Sequence, residues 1–360
     1  MLKGLSGDLT KRRDEVGWFH QTLKLAHPFG QFSDDTQFAR ELALACIETK
    51  SLSEADAIAD RFAARIAKLY SDHKVVGCGM GTAQALTRLI KGADSKSSGS
   101  AAGSAGNRPS LGGVIVGLIA CNLPLPTLVQ LARRQAIVTH QDKRSQAGAI
   151  VMAVAVRELM KLGRPMLPQS IAAIIKTIVD SIRELSPPFA KAVERLPKWL
   201  KLSPSKAVVE ISRAGLAENF DDGSKGVSGF VISSTLWPLY CFLRSPDNFW
   251  QIIEATIAGG GDTDSTAALA GALAGAHLGL NAIPSLFLQL VQDDGKLYKD
   301  ELTQIAVSLL NLSDLRNYTP PRAGNNGGTV AELSPAYSST DSAGDSKDSS
   351  DKPTKTADKV

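Results

Sequence analysis

Two short acidic clusters hold the residues best suited to chemistry: Ser33-Asp34-Asp35-Thr36 near the start of the chain and Gly261-Asp262-Thr263-Asp264-Ser265 far down it. Each brings two carboxylates and a hydroxyl together within four residues, directly ahead of an apolar run of helical period. Such sets of hard oxygens suit Mg²⁺ or Mn²⁺, which take about six oxygens in near-octahedral order and keep waters that a substrate can displace. One helix terminus cannot supply that shell; two facing termini can. The competing reading is helix capping, in which an Asp or Ser oxygen accepts an orphan backbone N–H and the charge meets the helix dipole, worth roughly 1 kcal/mol. Capping needs one such residue, and the second carboxylate adds like-charge repulsion that a cap does not explain, twice over. The cation reading therefore requires the chain near residue 34 to meet the chain near residue 263.

The elements that would position these clusters are helices. Ile171, Ile174, Ile175, Ile178, Ile182 and Leu185 follow a helical period, as do Ile58, Phe62, Ile66 and Leu69 after a Ser53 cap, and Leu302, Ile305, Ala306, Leu309 and Leu310 near the end. Strand alternation is nearly absent. The expectation is an all-α domain over residues 1–320, a compact orthogonal multi-helix bundle, closed by Tyr318-Thr319-Pro320-Pro321. Residues 94–106 (DSKSSGSAAGSAG) read as a flexible surface loop. The Ser-, Asp-, Lys- and Gly-rich tail, 322–360, reads as disordered, because it cannot bury enough apolar area to offset its ordering entropy. After the second acidic cluster, Gly271, Gly275 and Gly279 recur every fourth residue among alanines. Interior glycine costs a helix about 1 kcal/mol against alanine, so this stripe predicts a central helix closely approached by a neighbour.

Composition narrows the partners. Within 360 residues, 40 basic and 36 acidic side chains give a formal charge of +4 with no basic block, so neither nucleic acid nor a membrane surface is an expected partner. Cys46, Cys78, Cys121 and Cys241 are widely spaced and predict free thiols in a reducing cytoplasm. The apolar stretches 111–129 and 266–291 approach membrane length, but Asn122, Pro124, Pro126, His277, Asn281 and Pro284 interrupt them. The first residues lack the apolar core of a signal peptide. Lys74 to Gly81 (KVVGCGMG) looks like a dinucleotide turn, but its glycines read G-x-G-x-G and no second strand follows, so a nicotinamide-binding fold is set aside.

The acidic motifs, S-D-D-T at 33–36 and G-G-D-T-D-S-x-A-A-x-x-G at 260–271, resemble those of the ADP-ribosylglycohydrolase family. Gly77 to Leu86, Gly106-Asn107, Thr139-His140, Ala147-Gly148-Ala149 and Gly226 to Leu243 fall in the family's order, so the resemblance spans about residues 1–290. It implies an all-α fold with two Mg²⁺, or Mn²⁺ in some members, in a dimetal cleft between helix N-termini. It carries metal-ligand roles onto Ser33, Asp34, Asp35, Asp262, Asp264 and Ser265. Gly7-Asp8 with Glu15 matches the family's G-D-x-L-G-x-x-x-E segment and makes Glu15 the candidate catalytic carboxylate, although Lys11 stands where glycine is usual. Asn107 and His140 are implied to bind substrate. After Asn107 the family continues with a small residue, whereas this chain has Arg108-Pro109.

The activity so implied is metal-dependent hydrolysis of the N- or O-glycosidic bond between ADP-ribose and a protein side chain or small conjugate, by a cytoplasmic monomer. The alternative is a non-catalytic ADP-ribose-binding or structural member of the same fold.

Overall fold

The computed structural model describes residues 18–20, 25–162, 166–217 and 226–313. Two three-residue strands, β1 (Trp18–His20) and β2 (Leu25–His27), pair antiparallel. The chain then runs through α1 (Asp34–Thr49), α2 (Ala55–Ser71), α3 (Met80–Ile90), α4 (Arg108–Ile119), α5 (Leu125–Ile137) and α6 (Lys143–Lys161). It continues as α7 (Pro168–Ile182), α8 (Pro187–Val193), α9 (Leu196–Trp199), α10 (Pro204–Ile211), α11 (Val231–Arg244), α12 (Phe249–Ala258) and α13 (Thr263–Leu278). After α14 (Ser285–Leu290), a minimal pair β3 (Gln292–Asp293) and β4 (Lys296–Leu297) precedes α15 (Lys299–Leu312). The fold is all-α, as the periodicity implies.

Burial sorts the helices into layers. α7 turns Ile174, Ile175, Ile178, Val179 and Ile182 inward and exposes its other face, the expected pattern of a surface helix. α4 and α6 are apolar around nearly their whole circumference and form the centre, where α4 packs against α5, α6 and α13. Their closeness comes from small residues. A Cβ built on Gly113 would lie 2.2 Å from the carbonyl oxygen of Ala149, and one on Gly117 would lie 2.6 Å from that of Ala153. A Cβ on Gly148 would meet Val231 of α11 at 2.4 Å and Ser110 Oγ of α4 at 2.6 Å.

The glycine stripe of α13 does something else. Gly271 has a single neighbour at 3.7 Å, Gly275 has nothing within 4 Å, and Gly279 ends the helix at φ +78°. α13 does pack centrally, but through Leu269, Ala270, Leu273 and Ala274. Close backbone approach belongs to the glycines of α4.

Residues 94–106 lie partly at the surface, with 94, 96, 97 and 101–103 exposed, and are partly buried. Ser98 and Ser100 are buried, Ser98 Oγ donates to the Val138 carbonyl at 2.8 Å, and the Ser100 backbone pairs with Thr139 and Gln141. Serine oxygens bonded to backbone make burial of its polar residues tolerable, and residues 98–100 are tied to the loop joining α5 and α6. At α2 the N-cap is Glu54, not Ser53. The four cysteines are free. Among the described residues no helix is long and apolar enough to cross a membrane. Glu15 and the tail 322–360 lie outside the described residues.

Candidate active site

The first acidic cluster opens α1. Ser33 is extended (φ −88°, ψ −175°), and its carbonyl accepts the Thr36 and Gln37 N–H groups at 3.1 Å. The Asp34 N–H donates to the Val76 carbonyl at 2.7 Å, and Gln37 fastens the same crossing strand by donating to Lys74 O and accepting from Val76 N–H. The Ser33 side chain makes no capping hydrogen bond.

The second cluster opens α13 from a turn that only glycine forms easily. Gly260 and Gly261 have φ +65° and +75°, and a Cβ on Gly261 would lie 2.1 Å from the Val227 carbonyl oxygen. Without that Cβ, Val227 donates to Gly260 O and accepts from the Asp262 N–H at 2.7 Å, which fixes where α13 starts. Asp262 occupies the N-cap, yet its carboxylate caps nothing. Instead Oδ2 accepts from Asn107 Nδ2 at 2.7 Å. Neither acidic cluster is spent on capping.

The two starts meet. Burial pushes the Asp34 carboxyl up to about 7 against the pull of Arg108, with Asp264 and Asp262 adding repulsion. Burial and then Asp34 raise Asp35 likewise, while Arg108 and the Ser265 hydroxyl oppose the rise. Asp262 is raised by burial and by Asp264, with Asp35 contributing and the Asn107 hydrogen bond opposing. Protonation is thus favoured at the buried Asp34 and Asp35 and at the half-buried Asp262, with the carboxylate of the exposed Asp264 close by. Arg108, at the first position of α4 and only 6% exposed, donates from Nη1 to Asp35 Oδ1 at 3.0 Å. The other oxygen, Asp35 Oδ2, is buried without a hydrogen-bond partner.

His140 closes one side. Its Nδ1 lies 3.1 Å from Thr139 Oγ1, and its Nε2 edge fits against Gly106 and Gly81, where a Cβ would stand 2.7 and 3.1 Å away. Burial and then the Arg108 charge lower its pKa to about 4, so the ring is neutral at pH 7. Asp142, two residues on, caps α6 and accepts from the Gly103 N–H at 2.8 Å, which ties the 94–106 segment to this corner.

Of the residues singled out from sequence, Asp34, Asp35, Asp262, Asp264 and Ser265 come together, Ser33 lies buried at the start of α1, and His140 lies within the field of Arg108. Asn107 is there too, but its amide is engaged in holding Asp262. The member that motif matching did not supply is Arg108. Its signal was a long cation following Gly106-Asn107, where the motif otherwise has a small residue.

The donor set suits a hard divalent cation: carboxylate and hydroxyl oxygens, one buried carboxylate oxygen with no partner, and a single guanidinium among four carboxylates. As the side chains stand, no three His, Cys, Asp or Glu residues among those described converge closely enough to enclose an ion.

The chain is similar to known proteins along most of its length. Residues 5–319 match the ADP-ribosylglycohydrolase family. The ADP-ribosylhydrolase ARH3 of Danio rerio is 27% identical over 314 residues, covering 82% of this chain and 81% of that protein. The Homo sapiens ADP-ribosylhydrolase ARH3 is 25% identical over 286 residues, covering 72% and 74%. A solved structure titled "ADP-ribosylglycohydrolase-related protein complex" shares the fold with a TM-score of 0.59 at 24% identity, over 79% of this chain and 83% of that one.

Proposed function

The chain belongs to the ADP-ribosylglycohydrolase family, and from that premise we propose that it hydrolyses the N- or O-glycosidic bond joining ADP-ribose to a protein side chain or small conjugate, with the distal ribose seated between the starts of α1 and α13. Glycoside-type hydrolysis is the activity its family and relatives carry. The ribose seat, the divalent cation beneath it and the acceptor are the parts proposed.

One observation carries the reading: two helix starts, 228 residues apart in sequence by the numbering of Asp34 and Asp262, bring uncapping carboxylates near each other, Asp34 and Asp35 buried, Asp262 half-buried and Asp264 exposed. Clustered carboxylates are costly and are best relieved by a cation. Asp34, Asp35, Asp262, Asp264 and Ser265 would hold Mg²⁺ or Mn²⁺. Such an ion, when bound, supplies attachment for the ribose hydroxyls and positive charge near the bond that breaks.

The chain's own residues do the rest. Asn107 fixes the Asp262 carboxylate, so the ribose seat is set before substrate arrives. The buried residues 98–100 and His140 limit water on one side, and neutral His140, its Nδ1 beside Thr139 Oγ1, adds no charge there. As the C1″–acceptor bond breaks, its electron pair leaves with the acceptor, the ribose gains oxocarbenium character, water adds at C1″ after losing a proton to a carboxylate, and that proton passes to the acceptor. Glu15 is the candidate for that carboxylate by sequence.

The test is release of ADP-ribose from conjugates of arginine (N-linked) and serine (O-linked), with and without chelator. Asp264→Asn is expected to lose on the order of 100-fold in rate, the scale of losing a metal ligand or its support. Full rate for that variant in the presence of chelator would sink the reading. The rate ratio between the two linkages identifies the acceptor.

A further inference from the structure

Arg108 is the feature of this cleft that neither the motif pattern nor the reaction calls for. A cation at the first residue of a helix faces the positive end of the dipole, and burying it adds a desolvation penalty. Yet Arg108 is buried, bonded to Asp35 Oδ1 at 3.0 Å, with its guanidinium carbon 4.9 Å from the centre of the fully buried Phe38 ring. That ring, one turn along α1 from Asp34, holds the guanidinium plane beside the acidic cluster. The backbone beneath it is also fixed. Pro109 follows, its carbonyl accepts from Gln135 Nε2 at 3.0 Å, and Gln135 closes over Gly112, where a Cβ would meet its Oε1 at 2.2 Å. Nothing in this geometry lets Arg108 behave as a loose surface arginine.

We propose that Arg108 is a built-in counter-cation of the cleft, so that the site takes one divalent ion where the same carboxylates without the guanidinium would take two. This rests on the divalent-cation reading above. The charges favour it: four ionised carboxylates alone would be balanced by two divalent ions, whereas with the guanidinium among them a second ion would leave the cleft net positive. The geometry favours it as well. Arg108 occupies Asp35 Oδ1 and leaves Oδ2 as the buried, unpartnered oxygen, so Asp35 offers an ion one oxygen and not two. The position otherwise filled by a second ion's charge is held by a covalently attached one.

The experiment counts Mn²⁺ bound per full-length chain by equilibrium dialysis, and reads folding by circular dichroism, for the unaltered protein, Arg108→Gln and Arg108→Lys. One Mn²⁺ in the unaltered protein and in Arg108→Lys, rising to two in Arg108→Gln, is the expected result. Two ions in the unaltered protein overturn the proposal and leave the divalent-cation reading standing. One ion in all three proteins also overturns it, since the arginine then excludes nothing. Binding by none of the three overturns the divalent-cation reading and the proposal with it. Should Arg108→Gln fail to fold, the count for the unaltered protein decides between one ion and two.

Discussion

Gly113→Ala probes how tightly the centre of the molecule is tied to its cleft. The added methyl carbon would lie 2.2 Å from the Ala149 carbonyl oxygen, 2.9 Å from its carbon and 3.0 Å from its Cα. Ordinary carbon–oxygen contact is about 3.5 Å, so α4 and α6 must part by about 1 Å, and the obstacle is backbone that no rotamer change can move. Overpacking of this kind costs about 1–3 kcal/mol, against about 1 kcal/mol gained in helix propensity. A net loss of up to about 2 kcal/mol is expected, read as a lower urea midpoint with unchanged slope. The same shift reaches the cleft. Arg108 is five residues up the helix from Gly113, about 8 Å at 1.5 Å per residue. Displacing that end strains both the Asn107–Asp262 bond of 2.7 Å and the Arg108–Asp35 bond of 3.0 Å. Misplacement of about 1 Å can cost on the order of 100-fold in rate, so turnover should fall further than stability alone explains. A Gly113→Ala protein of unchanged midpoint and full activity would refute the claim that α4 is wedged against α6 and aims the cleft.

The opposite result is expected for Gly275→Ala, whose methyl would meet nothing within 4 Å; a gain of about 1 kcal/mol in urea unfolding follows from helix propensity and reduced freedom of the unfolded chain. His140 has a folded pKa near 4, below the ordinary 6.5, so the unfolded chain binds the extra proton between those values and stability drops as pH falls from 6.5 toward 4. His140→Gln should remove about 3 kcal/mol of that acid-side loss, seen as a flatter plot of urea midpoint against pH. Asp34, Asp35 and Asp262 shift the other way. With chelator present, each holds its proton in the folded state from the ordinary carboxylate range up to about 7 and loses it sooner when unfolded, so the melting temperature should decline as pH rises through that window. Added Mg²⁺ should raise it most at the alkaline end, and a Mg²⁺ effect larger at pH 5 than at pH 8 would contradict the carboxylate cluster.

Much of this cleft is written locally in the chain. The acidic pairs sit at helix starts because Asp and Ser end non-helical segments ahead of apolar repeats, and the Gly260-Gly261 pair supplies the left-handed turn that α13 needs. α2, α7 and α15 likewise follow from period alone. What could not be read depended on distant partners. Serines at 98 and 100 look like linker chemistry until the carbonyls of Val138 and Thr139 are seen to bond them. Two glycine series of the same four-residue spacing had different fates: Gly113 and Gly117 face a neighbouring backbone, while Gly271 meets only the Ile253 side chain and Gly275 nothing within 4 Å. Spacing states which residues share a helix face but not what that face meets. Arg108 is the same lesson at the cleft, since its role exists only once α1 and α4 are side by side.

The bonds that assemble the cleft also impose an order on its birth. Arg108 reaches Asp35 across 73 residues of chain, whereas Asn107 must wait 155 for Asp262. A polypeptide emerging from the ribosome therefore acquires the neutralising partner of its first acidic pair well before the second pair is synthesised. The immature half is thus spared a stage of bare electrostatic repulsion in a chain whose remaining closure, being long-range, is the slow part.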